Sequence, residues 1–149
     1  MTTHSYDTDF YAWTLEQVDL LQSQQFAQLD LVNLVEEIES LGRKERQALR
    51  NRLGILLGHL LKWQFQPQQR INSWIGTIRE QRIQIKLLLK DSPSLKSYLE
   101  QTFADAYELG VALAIRETLL NEEVFPKTSP YELEQALDSK FLPGAIAQN

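Results

Sequence analysis

A chain of 149 residues is long enough to bury a core of its own, and the absence of cysteine excludes a disulfide framework, a thiol nucleophile and thiolate-held zinc or iron–sulfur centres. The formal net charge of -5 disfavours nonspecific attraction to nucleic acid, although a local basic face can still meet an anion. Glycine and proline are scarce, with six and five residues, while Leu and Ile abound, a composition that suits one domain of helices joined by short loops.

The opening MTTHSYDTDFYAW carries neither a positive leader nor an apolar run ending in a cleavage site, so no secretion signal is expected. The longest apolar runs, such as LGILLGHLLKW and IKLLLK, fall short of the roughly 20 residues that cross a bilayer. The expectation is a cytoplasmic protein without a transmembrane segment.

In TDFYAWTLEQVDLLQSQQ, Phe10, Trp13, Val18 and Leu21 recur at helical spacing, with Thr8 or Asp9 as cap. FAQLD reads as a short helical turn, after which Asp30 caps DLVNLVEEIESLG. There Leu31, Leu34, Val35, Ile38 and Leu41 form one apolar face, expected in the core. Gly42 either ends this helix through a left-handed cap or lies inside a longer one, at a cost of about 1 kcal/mol relative to alanine. In the longer reading the stripe continues through Leu49, Leu53, Leu56, Leu60 and Trp63 to Phe65, and Pro67 is the stop.

The next helix, INSWIGTIREQRIQIKLLLKD, buries Trp74, Ile78, Ile85 and Leu88 by its spacing and ends at Ser92–Pro93. Ser94 then caps LKSYLEQTFADAYELGVALAIRETL, with Leu95, Leu99, Phe103, Ala106, Gly110 and Leu113 on one face. Beyond Phe125 and Pro126 the periodicity weakens. One short helix fits 131–137, capped by Ser129 with Pro130 in its first turn, and the final AIAQN is expected to be disordered. The sum is an all-α, compact bundle of about four or five main helices in a single domain, 1–149, with 126–149 as a less regular C-terminal helical appendage.

Glu45, Arg52 and His59 lie seven residues apart, and seven steps of 100° return to within 20° of the starting direction. They therefore line one polar seam within or beside the apolar stripe. Each step is also a rise of about 10.5 Å, so the three cannot touch by spacing alone and need partners from other helices. Arg82 and Glu117 are the opposing candidates, and Glu45, Arg52, His59, Arg82 and Glu117 together form the expected structural polar network, one that sets helix register.

The same seam is the candidate catalytic constellation of Glu45, His59 and Arg52, with His59 as base, Glu45 orienting it and Arg52 or Arg82 facing developing negative charge. A di-iron bundle needs Glu-x-x-His pairs. The two histidines, His4 and His59, lack a glutamate three positions before them, so a di-iron centre is not expected; zinc held by Glu45 or Glu117 with His59 is the minor metal reading, and no metal or cofactor is assigned. Arg79, Arg82, Lys86 and Lys90 share a helical face and are the partner-binding candidates for an acidic protein. Glu36, Glu37 and Glu39 read as a solvated acidic shoulder, and Trp13, Trp63 and Trp74 as core. A Gly-rich nucleotide loop, an HExxH pair and a GxSxG elbow are all absent from the sequence.

YDTDFYAWTLEQ, DLVNLVEEIESLGRKER, HLLKWQFQP, SWIGTIREQR, DSPSLKSYL and YELEQALDSKFLP occur in this order over nearly the whole chain. In this the sequence resembles the bacterial family catalogued as domain of unknown function 29. The resemblance implies an all-helical domain and supplies no substrate, cofactor or catalytic residue. The function expected from the residues is a noncatalytic structural or protein-interaction domain, binding a protein partner or itself. A small metal-dependent or hydrolytic enzyme using the seam, and a nucleic-acid-associated regulator using the basic face, are the alternatives, nucleic acid being disfavoured by the net charge.

Overall fold

The structure, a computed structural model, describes the backbone of residues 3–144 and the side chains from Ser5 onward. These residues form an all-α fold. Its helices are α1 (Thr3–Thr8), α2 (Phe10–Gln22), α3 (Leu31–Phe65), α4 (Asn72–Asp91), α5 (Leu99–Thr118) and α6 (Leu133–Leu137). Short 3-10 turns occupy Phe26–Gln28, Pro67–Gln69, Pro93–Tyr98 and Glu122–Val124. The segment 145–149, expected to be disordered, lies outside the described residues. The chain divides into two compact units, Met1–Glu45 and Arg46–Asn149.

In the first unit, Asp9 caps α2 by accepting from the Ala12 amide at 3.1 Å. The buried face of α2 is Trp13, Gln17 and Leu20, at i, i+4 and i+7. Of the residues whose spacing marks the helix, Trp13 is buried, while Phe10, Val18 and Leu21 are exposed. α2 carries apolar residues on two sides, and periodicity finds both without ranking them. Asp30 is the hub that selects the buried side. Its carboxylate accepts from the Trp13 indole at 2.9 Å and the Asn33 side-chain amide at 2.8 Å, while its own amide donates to Gln17 Oε1 at 2.9 Å. Burial pulls this carboxyl upward, but the bonds from Asn33 and Trp13 outweigh it and hold Asp30 below its ordinary value.

The acidic shoulder is partly engaged in this unit. Tyr6 donates to Glu37 Oε2 at 2.5 Å, and Arg43 pairs with Glu36 at 2.9 Å in the open. A correction concerns the apolar face expected in the core: Leu31, Val35, Ile38 and Leu41 are 53–65% exposed, and Leu34 alone is half-buried. Amphipathic spacing reports the shape of a helix, not whether a neighbour covers it.

α3 runs unbroken through Gly42, and all its buried residues lie at Leu49 or beyond. In the second unit Leu49, Leu53, Leu56, Leu57, Leu60 and Leu61 are wholly removed from solvent and pack with Ile78 and Ile85 of α4 and Ala106 and Ala114 of α5. Each such leucine contributes roughly 1.5–3 kcal/mol of transfer free energy. The approach of α3 to α5 is set by glycines. A Cβ on Gly58 would stand 2.8 Å from Leu113 Cδ2, and one on Gly110 would stand 2.9 Å from the Gly58 nitrogen.

The helix expected from Leu95 begins four residues later, because Pro93–Tyr98 tightens into 3-10 turns, and α5 closes on Leu119 in the left-handed region at φ 63°. The C-terminal helix is also shorter than expected. Ser129 Oγ engages the Tyr131 backbone instead of capping a helix, and a reciprocal capping box between Glu132 and Gln135 starts α6 at Leu133. Around it the irregular chain supplies core: Phe125, Tyr131 and Ala136 are buried, and the Tyr131 hydroxyl donates to Gln64 Oε1 at 2.7 Å. Trp13 is buried as expected, whereas Trp63 and Trp74 are half-buried under cations, Arg70 at 4.8 Å and Lys62 at 4.6 Å from the ring centres.

Candidate functional site

The heptad-spaced residues stand in different surroundings. Glu45 is exposed, Arg52 is half-buried and donates to the buried Gln81 Oε1 at 3.3 Å, and His59 is half-buried with Nδ1 2.9 Å from the Ile55 carbonyl. That contact is an Nδ1–H donating to Ile55, which leaves Nε2 as the acceptor of a neutral ring. Burial and the nearby Lys62 ammonium push the His59 pKa below its ordinary value of 6.5, opposed by the Ile55 bond and Glu117. Fourteen residues of helix, a rise of about 21 Å, separate His59 from Glu45.

Glu117 joins a residue that helical spacing had not singled out. Lys62 Nζ donates to Glu117 Oε1 at 2.7 Å, and Arg116 reaches Glu117 Oε2 at 3.2 Å. The Lys62 bond, with Arg116 assisting, holds the Glu117 carboxyl below its ordinary value against the upward pull of burial. Lys62 escaped notice because a lysine beside an apolar stripe reads as a surface residue. In the fold it is buried over the face of the Trp74 ring and against the Glu117 carboxylate.

Arg82 is buried as well, and its guanidinium serves the chain itself. Nε donates to the Ala136 carbonyl and Nη2 to the Phe141 carbonyl, both at 2.8 Å. Burial lowers its pKa, with Asp138 opposing, yet a guanidinium stays charged. Arg82 therefore ties the C-terminal segment to α4, and the exposed members of the basic face are Arg79, Lys86 and Lys90.

That tie creates a concave site. Between α4 and residues 137–142 lies a groove of about 870 Å³, with Ile75, Ile83, Leu89 and Leu142 on its walls and Arg79, Lys86 and Lys140 at its rim. Ile75 and Ile83 are 38% and 52% exposed, so apolar surface is open to an incoming group. Helical spacing had placed Arg79, Arg82 and Lys86 on one face. Lys140 and Leu142 had no signal in the sequence, because their segment has no period and a contact from Arg82 brings it to α4.

A smaller cleft of about 420 Å³ lies by α5, where Glu108, Glu122 and Glu123 surround Tyr107, Val111 and Phe125. Among the described residues, no three His, Asp or Glu side chains converge as metal ligands would. No described helix is long and apolar enough to cross a membrane.

The geometry thus defines a class: an all-α protein that carries an apolar groove with cationic side chains along it. The chain belongs to the family described as Domain of unknown function DUF29, whose pattern matches residues 5–142. No curated protein and no solved structure is significantly similar to it.

Proposed function

We propose that this protein is a noncatalytic, cytoplasmic protein-interaction domain, whose α4 groove receives an apolar segment flanked by carboxylates on a partner protein. The observation that carries this reading is the placement of Arg79, Lys86 and Lys140 around Ile75, Ile83, Leu89 and Leu142. Apolar contact supplies affinity, and the rim supplies sign selection, because it is a positive locus on a chain of net charge -5. Arg82 supports the reading from below: with Nε donating to the Ala136 carbonyl and Nη2 to the Phe141 carbonyl, it holds the far wall of the groove in place. The lack of cysteine suits a reducing compartment.

The test is titration of the full chain with fluorescent helical peptides carrying Leu at i, i+4 and i+7 between either Glu or Lys flanks. Binding of the Glu series alone, weakened by salt and lost in the double variant Arg79→Glu/Lys86→Glu, is expected. Equal binding of both series, or a preference for an oligonucleotide probe over the Glu peptides, would overturn the assignment.

A further inference from the structure

The two sides of the α4 groove differ, and together they decide what form of chain it takes. Counted at about 100° per residue from Ile75, Arg82 falls about 20° to one side, and Lys86 and Arg79 fall about 20° and 40° to the other. Arg82 grips the wall of residues 137–142 through the carbonyls of Ala136 and Phe141, while Arg79 and Lys86 are exposed. Among the described residues neither they nor Lys140 forms an ion pair, so three cations along apolar surface are open to carboxylates from outside.

The backbone of the groove is already spent. The Asp138 and Phe141 amides donate to the Gln135 and Asp138 carbonyls, both at 3.1 Å, and the Lys140 amide donates to Asp138 Oδ1 at 2.9 Å. Arg82 takes the Ala136 and Phe141 carbonyls, and α4 bonds its own main chain within the helix. A segment entering as an added strand would find these donors and acceptors taken and would bury its own without partners. A polyproline segment docks on aromatic rings, and among the described residues that line this groove there is none. An α-helix closes its own hydrogen bonds and presents side chains alone, which is what the groove can meet.

We infer that the occupant of the groove is an amphipathic α-helix of the partner, lying along α4, with carboxylates at i and i+7 on one flank of its apolar stripe. This rests on the reading of the groove as a site for an acidic, apolar segment. The spacing comes from α4: Arg79 and Lys86 are seven residues apart, a rise of about 10.5 Å with directions within about 20° of each other. A helix laid along α4 repeats that rise and that direction at its own i and i+7, whichever way it runs. Ile75 to Leu89 spans about 21 Å of α4, so about four turns of the partner are covered.

Fluorescence anisotropy of the full chain with labelled peptide isomers tests the inference. All carry the same Leu stripe and two Glu, placed at i and i+7 in the matched peptide and at i and i+9 in the displaced one, which moves the second carboxylate to the back of a helix. In an extended chain the two placements are equivalent, so only a helix tells them apart. The matched peptide is expected to bind roughly two- to fivefold tighter than the displaced one, the scale of one exposed ion pair. A central proline in the matched peptide should weaken binding on the order of tenfold or more. The variant Arg79→Glu/Lys86→Glu should lose the matched Glu peptide and bind a matched Lys peptide in preference to a displaced Lys peptide, with an unchanged helical circular dichroism spectrum. Equal binding of matched and displaced peptides, indifference to the proline, or a rescue that ignores placement would overturn the helical assignment and leave the acidic-partner reading standing. Binding of no Glu peptide would overturn both.

Discussion

Lys62 Nζ lies 2.7 Å from Glu117 Oε1 and joins α3 to α5, yet the lysine side chain is 6% exposed and the glutamate 36%. The two ends of this pair are therefore unequal. Glu117 keeps water and Arg116 when Lys62 is removed, whereas Lys62, buried over the Trp74 ring, keeps little besides the cation–π contact when Glu117 is removed. Glu117→Gln should cost about 1–3 kcal/mol, below the 3–5 kcal/mol of a fully buried broken pair because Glu117 is partly solvated. Lys62→Met should cost less than that, since it exchanges the buried charge for an apolar chain of similar length. Urea denaturation of the two variants checks the order, and a larger loss for Lys62→Met would reverse this account.

Close helix approach yields a second prediction. Gly58→Ala and Gly110→Ala should each destabilise by about 1–3 kcal/mol, because the added methyl meets backbone or a packed leucine within 3 Å. Gly42→Ala should stabilise the helix by roughly 0.5–1 kcal/mol, since it lies inside α3 with nothing within 4 Å of the new atom. Thermal unfolding at concentrations where each variant is monomeric separates these opposite signs.

His59 sets a pH dependence. Its folded pKa is depressed below 6.5, chiefly by burial, so the unfolded chain takes up a proton first as pH falls. Its contribution is present above pH 6.5 and is lost progressively as pH drops from 6.5 to the folded value. The stability of wild type minus that of His59→Gln should therefore decline through this window and level off below it. Glu117, depressed from 4.5, loses its own contribution only below that pH, so the two titrations are distinguishable.

Arg82 holds the C-terminal segment by two hydrogen bonds from one planar group. Arg82→Met should cost roughly 2–3 kcal/mol through lost charge-assisted bonds and carbonyls left without a donor. Amide exchange in 133–142 should accelerate in parallel. Arg82→Lys should restore only a minor part, because an ammonium cannot present the spaced donors of a guanidinium. Unchanged exchange in that segment would show that other contacts hold it.

The sequence by itself determined the helices and their faces. Leu49, Leu53, Leu56 and Leu60 recur at a period that only an α-helix aligns, and Pro67 and the Ser92–Pro93 step mark ends that backbone chemistry imposes. Tertiary structure alone decided which faces are covered. Spacing treats Ile38 and Leu56 alike, because period is a property of one helix and burial is a property of two. The same division holds for the candidate sites. Arg79, Arg82 and Lys86 were legible as one face, but the groove depends on Arg82 gripping the carbonyls of Ala136 and Phe141, contacts that span 54 and 59 residues of chain. Lys62 and Glu117 meet for the same reason: spacing marked Glu117 but not its partner, and the pair exists where Gly58 and Gly110 let α3 and α5 approach closely.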